Sequence, residues 1–185
     1  MEVSVVIPNF NGIAFLDSVL ASLEGQTLNN FEVILVDNGS TDGSCSFVTA
    51  NYPWVHLIEL SENFGFCGAV NAGIRAAKAP YVLLLNNDTE VKEDFVEEML
   101  AAIRRHKNAF SCGARMVQYH DRDKLDDVGN YYCALGWSFA RGRGKDIHAY
   151  ETEDRIFSAC AGAAIYRKKI LEKIGYFDEE HFAYL

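Results

Sequence analysis

Four apolar runs, each followed by residues at helical spacing, restrict this chain of 185 residues to one class of fold. Val3-Ser4-Val5-Val6-Ile7 is β-branched and stops at Pro8-Asn9-Phe10-Asn11-Gly12, residues that end a strand and open a turn. Phe15, Leu16, Val19, Leu20 and Leu23 then recur at helical spacing. Phe31-Glu32-Val33-Ile34-Leu35-Val36 ends at Asp37-Asn38-Gly39-Ser40, and a short helix is expected over about 41–51. Residues 54–60 read as a third strand, and 65–78 as an alanine-rich helix whose start is crowded with glycine. Tyr81-Val82-Leu83-Leu84-Leu85 and a helix over 92–106 complete a fourth unit. Continuous apolar strands are covered on both faces. Four strand–helix units in succession therefore predict an α/β fold, with a mainly parallel central sheet, right-handed crossovers and helices on both faces.

The rhythm changes after Ala109. Residues 118–155 are polar, contain Gly and Tyr, and predict irregular structure with short strands. An apolar segment over 156–166 follows, then a basic amphipathic helix over 168–174 stopped by Gly175. The chain reads as one domain over 1–185, with a regular half over 1–108 and a less regular half over 109–185.

In open α/β sheets, ligands bind where the strands end at their carboxyl edge. Leu85 gives way abruptly to Asn86-Asn87-Asp88-Thr89-Glu90, oxygen-bearing side chains placed where a buried strand emerges. Asp88 there suits Mg²⁺ or Mn²⁺, hard cations that bind oxygen and often take one or two carboxylates plus substrate phosphates. Taken alone, the segment reads first as a helix N-cap, and the rest of the chain reverses that order. Asp37 ends the second strand and is expected on the same rim as Pro8, Asn9 and Asn11. A carboxylate there accepts the N3–H of uracil or thymine and repels the N3 acceptor of cytosine; as an isolated D-N-G-S it reads as an Asx-turn. The glycine-rich start at Asn63-Phe64-Gly65 lets a backbone approach an anion, with Asn71 a turn and a half further on.

The net charge of −9 argues against sequence-independent nucleic-acid binding, which depends on Lys and Arg neutralising phosphates. No apolar run approaches the roughly 20 residues of a bilayer span. Cys45, Cys67, Cys112, Cys133 and Cys160 show no zinc spacing and read as free thiols in a reducing compartment. The five histidines lack ligand spacing. Arg141, Arg143 and Lys145, separated by glycines, read as an exposed charged loop.

Val5 to Asn11, Val36 to Ser44, Asn63-Phe64-Gly65-Phe66, Asn71-Ala72-Gly73 and Leu85 to Thr89, in that order and spacing, resemble the family 2 glycosyltransferases of the GT-A fold. The resemblance continues through Gly162-Ala163-Ala164-Ile165-Tyr166-Arg167 and Gly175-Tyr176-Phe177-Asp178-Glu179, and is strongest to the rhamnosyltransferase-like branch that builds bacterial surface polysaccharides. It implies a UDP- or dTDP-sugar donor, dTDP-rhamnose among the candidates, with Pro8, Asn9, Asn11, Asp37, Asn63, Gly65, Asn71 and Asn87 around the nucleotide sugar. Asp88 and Asn86 match the last and first positions of the family's D-x-D-like metal motif. The acceptor implied is a glycan or lipid-linked sugar, the reaction a single inverting displacement, and the setting the cytoplasm, peripheral to the inner face of the membrane through that acceptor. The family's basic Asp follows a segment resembling Phe182-Ala183-Tyr184-Leu185, so the catalytic base is expected beyond Leu185 and this stretch alone is expected to bind rather than turn over. A noncatalytic sugar-nucleotide-binding module is the alternative. A nucleotidyltransferase needs a basic residue in its first glycine-rich loop, and residues 8–12 contain none.

Overall fold

The structure is a computed structural model that describes residues 1–181; the 182–185 segment lies outside the described residues. The four anticipated strands are β1 (Val3–Asn9), β2 (Phe31–Asp37), β3 (His56–Glu59) and β4 (Tyr81–Leu85), and all pair in parallel. Between them run α1 (Ile13–Glu24), α2 (Ser44–Asn51) and α3 (Gly65–Ala76), and α4 (Phe95–Arg105) follows β4. Two short strands, β5 (Ser111–Gly113) and β6 (Met116–Val117), precede β7 (Leu125–Asp127), β8 (Asn130–Tyr132) and β9 (Ser138–Ala140); the chain then returns through β10 (Ala163–Arg167) to α5 (Lys168–Ile174).

The main sheet has the order β3-β2-β1-β4-β10-β5. Side chains of a strand alternate between faces, and both faces here are apolar, as the continuous runs require. Val5, Ile7, Leu35, Leu83 and Leu85 pack against Leu16, Leu20, Val96 and Ile103 of α1 and α4. Val6, Ile34, Val36, Val82 and Leu84 face the other way, against Ala69, Val70 and Ile74 of α3 and Leu171 of α5. At Gly73 the helix backbone lies so close to the sheet that a Cβ would overlap Val6 Cγ1 and sit 3.1 Å from Val36 Cγ2.

The chain moves outward from β1 through β2 to β3, then returns to β4 on the far side of β1. The resulting switch point lies between the carboxyl ends of β1 and β4, where open α/β sheets bind ligands.

Several boundaries differ from the sequence expectation. β3 is four residues long, because Val55 N–H closes a turn onto Tyr52 O before the strand begins. The second helix starts at Ser44 instead of Thr41, since Gly43 before it adopts a left-handed φ of 91° and Asp42 takes the Ser44 N–H. The fourth helix starts at Phe95, after a turn closed by Phe95 N–H on Lys92 O. β10 runs antiparallel between β4 and β5, a direction that an apolar run does not encode. The short strands expected over 118–155 are present as two antiparallel ribbons, β6–β7 and β8–β9.

Arg141 departs from the expected exposed loop. It is buried, paired with Asp154 at 2.6 Å, and its guanidinium lies 4.6 Å from the Tyr150 ring centroid and 5.7 Å from that of Tyr131. Aromatic faces on both sides replace the water that a lone guanidinium would keep. All five cysteines are free thiols. His106 and His148 bond to Glu153 and Glu151, as ordinary surface histidines do.

Candidate active site

The rim above the switch point is built from three strand ends. Asn9 at the end of β1 is 1 % exposed, and its Nδ2 donates to Asp37 Oδ1 at 2.9 Å. Asp37, at the end of β2, accepts the Ser40 N–H on its other oxygen. An ionised carboxylate only accepts hydrogen bonds, so Asp37 fixes which way the Asn9 amide points. Asn9 Oδ1 therefore faces β4, where it accepts from Asn87 Nδ2 at 2.7 Å. The polarity set by Asp37 is passed on to Asn87, whose own Oδ1 has no hydrogen-bond partner among the described residues and is left as an acceptor.

Neighbouring turns lock this relay in place. Asn11, at a positive φ of 49° that Asn tolerates better than most residues, donates its N–H to Ser40 Oγ, and its Oδ1 accepts the Thr41 N–H. Asp42 accepts from Ile13 N–H, Ser44 N–H and the Ser44 hydroxyl. Burial opposes ionisation of Asp42, but these donors outweigh it and hold its carboxyl below the usual range. Gly12 passes under the Asn9–Asn87 bond, and a Cβ there would overlap Asn87 Nδ2. Gly12→Ala is therefore expected to break the relay, leaving Asn9 Oδ1 buried without a donor. That costs about 1–3 kcal/mol and is read as a lowered midpoint in urea denaturation; an unchanged midpoint would show that Asn87 swings aside freely.

Asp88 differs from Asp37 and Asp42. Its side chain is exposed, and among the described residues it has neither a hydrogen-bond nor an ion-pair partner. Together with Asn86 it borders an open cleft that runs along α4 to Arg143 and Tyr150. Asn86 is tied by its N–H to Gly162 O, and Thr89 closes the turn on Asn86 O, so 86–89 is held by its backbone while the Asp88 carboxylate stays uncommitted.

With three strand ends converging on one rim and an unspent carboxylate beside it, the geometry is that of a ligand site, and comparison with known proteins gives the family. The model of "Glycosyl transferase family 2" matches residues 4–175. This chain belongs to that family. The chain is 31% identical over 133 residues to glycosyltransferase GlyG of Streptococcus pneumoniae, covering 70% of this chain and 42% of that protein. It is 29% identical to the uncharacterized glycosyltransferase YwdF of Bacillus subtilis, covering 97% and 63% respectively. The chain thus spans roughly half the length of such relatives. Its fold is GT-A: S. aureus TarS superposes with a TM-score of 0.73 at 22% identity, over 99% of this chain and 52% of that one. The mannosyltransferase PcManGT from Pyrobaculum calidifontis, solved with GDP-Man and Mn²⁺, superposes with a TM-score of 0.69 at 18% identity, over 97% and 48%.

Several residues of this family member sit where the sequence pattern does not predict. Asn71 is 1 % exposed, and its amide is spent on the chain's own C-terminal segment: Nδ2 donates to Phe177 O and Glu179 Oε1, and Oδ1 accepts the Phe177 N–H. It is neither an exposed helix polar group nor a free ligand donor. Asn63 is likewise engaged. Its Oδ1 accepts from Gly65 N–H and Asn38 Nδ2, while Asn38 Oδ1 accepts the Phe64 N–H. Two amides at the start of α3 that were expected to face an anion are thus satisfied by side chains. Gly65 adopts φ of 74°, a left-handed conformation that explains the glycine. Asn38, Ser40 and Asp42 were not singled out in the sequence, although the density of Asx and Ser residues over 37–44 was the available signal. Cys45 lies against Asp37 and Glu59; burial first, then these two acids, push its thiol up to about 12, so it stays protonated beside the rim.

Among the described residues no three His, Cys, Asp or Glu side chains form a metal cluster. The donor set nevertheless fits a hard divalent ion, because such an ion is often held by one carboxylate and substrate phosphates, and Asp88 is an exposed carboxylate without a partner among the described residues.

Proposed function

We propose that this glycosyltransferase binds a UDP- or dTDP-sugar, dTDP-rhamnose being a candidate, together with Mg²⁺ or Mn²⁺, and transfers the sugar with inversion to a glycan or lipid-linked acceptor in cell-surface polysaccharide synthesis. The observation that carries the reading is the uncommitted Asp88 carboxylate beside the Asp37–Asn9–Asn87 relay at the switch point. Structural neighbours support the donor class: TarS was solved with UDP and with UDP-GlcNAc, and PcManGT with GDP-Man and Mn²⁺.

In this reading Pro8, Asn9 and Asn11 line the base and ribose side. A carboxylate offers about four lone-pair positions, and Asp37 has one to spare beyond its bonds from Asn9 and Ser40 and the Cys45 thiol against it. That spare site reads the N3–H of uracil or thymine. Asn63 and Gly65 shape the loop bordering the nucleotide, and Asn71 acts from behind by fixing 177–179. Asn87 offers its Oδ1 to a donor hydroxyl. Asp88, with Asn86, holds the metal ion, which supplies Lewis-acid stabilisation of the departing diphosphate. Residues 109–185 contribute the acceptor side. Glu179 is an anchor rather than a base, because its Oε1 accepts from both Asn71 and Arg75.

Calorimetric titration with UDP, dTDP and CDP tests the base-reading part. The wild type is expected to prefer UDP or dTDP over CDP by about tenfold or more, the roughly 1–3 kcal/mol of one buried mismatched hydrogen bond. The preference should vanish in Asp37→Ala. Equal binding of all three nucleotides by the wild type, or a preference that survives the substitution, would overturn it.

A further inference from the structure

The β8–β9 ribbon is an unusual object in a chain of this charge. It pairs only with itself, Asn130 with Ala140, Tyr131 with Phe139 and Tyr132 with Ser138, and is tied to the body at its base through the Asn130–Ser158 bridge. Its large side chains are uncovered: Tyr131, Tyr132, Trp137 and Phe139 are each more than half exposed, and Leu135 at the turn is 79% exposed. Tyr131 and Phe139 are directly opposite and share one face; on the other, Tyr132 stacks on the exposed Phe157 at 5.0 Å. Neither face is covered by another element of the described structure. Contiguous exposed apolar surface of this kind marks an interaction site.

Charge identifies the partner. Residues 130–140 carry no charged side chain, and 128–145 contain no Asp or Glu at all, in a chain whose net charge is −9. At the ribbon's base stand Arg141, Arg143 and Lys145. Arg141 is neutralised by Asp154, but Arg143 is 72% exposed with its nearest carboxylate, Asp126, 4.0 Å away, and Lys145 is exposed over the Tyr150 ring. Of the acidic residues that follow, Asp146 accepts the His148 N–H, Glu151 pairs with His148, Glu153 with Arg105 and His106, and Asp154 with Arg141.

We propose that the β8–β9 ribbon seats this protein on an anionic phospholipid surface, with Leu135 and Trp137 entering the acyl boundary and Arg143 and Lys145 meeting lipid phosphates. The proposal does not depend on the reading of the sugar donor. An apolar tip, aromatic flanks and cations at the base is the order of layers in an interface, where Trp and Tyr sit at headgroup level and basic residues bind the anionic surface. The reach is adequate. Strands rise about 3.3 Å per residue, so Tyr131 to Cys133 spans roughly 7 Å before the turn that carries Leu135, against a headgroup layer of about 5–8 Å. A second copy of the ribbon fits less well, since self-pairing leaves Arg143 and Lys145 without anions. A neutral glycan would stack on the rings but has no use for the exposed leucine tip or the cations.

The test uses the 185-residue protein carrying Trp54→Phe, which leaves Trp137 as the single tryptophan. It is sedimented with vesicles of phosphatidylcholine alone and of phosphatidylcholine with phosphatidylglycerol. Binding to the anionic vesicles only, with a blue shift of Trp137 emission, is expected. Arg143→Ser with Lys145→Ser should weaken partitioning about thirtyfold, and Leu135→Ser with Phe139→Ser should abolish it. Circular dichroism should stay unchanged in both, because every altered side chain is exposed. No sedimentation with anionic vesicles, equal partitioning into neutral ones, a matching shift with a soluble glucan, or ribbon-dependent dimerisation in the ultracentrifuge would each overturn the proposal.

Discussion

Asp88→Asn is expected to abolish the metal dependence of nucleotide binding while leaving the fold intact. The wild type should bind UDP or dTDP at least about a hundredfold more tightly with Mn²⁺ than without it, corresponding to the several kcal/mol that a metal-bridged diphosphate gains. The variant should bind equally with and without the ion. The expectation follows from contrast among the acids at the rim. Asp37 and Asp42 have their oxygens tied into turns, so replacing them disturbs structure as well as binding. Asp88 is exposed and, among the described residues, partnerless, so its thermal midpoint should move by no more than a surface substitution would. Retained Mn²⁺ enhancement in Asp88→Asn would place the metal elsewhere. A large drop in midpoint would mean that Asp88 serves the fold.

The second large effect concerns packing. Gly73→Ala places a methyl group onto Val6 Cγ1, with Val36 Cγ2 at 3.1 Å on the far side, and both valines are fully buried. Neither side chain can move aside without disturbing the sheet, so α3 must lift off it. A loss of about 2–3 kcal/mol is expected, lowering the melting temperature by roughly 5–10 °C for a domain of this size. Val6→Ala on that background should recover part of the loss, because it opens the space the new methyl needs. An unchanged melting temperature in Gly73→Ala would show that α3 has slack against the sheet. Because α3 starts at Gly65, just after Asn63, and carries Asn71 at its middle, its displacement should weaken nucleotide binding as well.

The sheet was legible because its signal is redundant. Each of β1, β2 and β4 is apolar on both faces, and each breaks into Asn, Asp or Gly, so strand type, burial and the ligand-facing edge all follow from one pattern. Asp37, Asn9 and Asp88 could be assigned to one rim on that basis, and the structure brings Asn9, Asp37 and Asn87 into hydrogen-bond contact there. What an amide does once placed was not legible. Asn71 and Asn63 look like ligand donors in a list of residues. In the fold they are spent on partners 106 and 25 residues away in sequence, at Phe177 and Asn38. Arg141 looked like a solvated cation because nothing local announces Tyr131 and Tyr150 as its two walls.

The sequence by itself determined the α/β class, the parallel strands β1 to β4, the shared carboxyl edge of the candidate site residues and the family, since these depend on local periodicity, strand-ending residues and motif order. Only the tertiary structure decided the antiparallel insertion of β10, the relay from Asp37 through Asn9 to Asn87, the clamp of Asn71 on Phe177, and the exposure of Asp88 without a partner among the described residues. Each of these is a pairing between groups distant along the chain, and which donor meets which acceptor is settled by packing rather than by spacing.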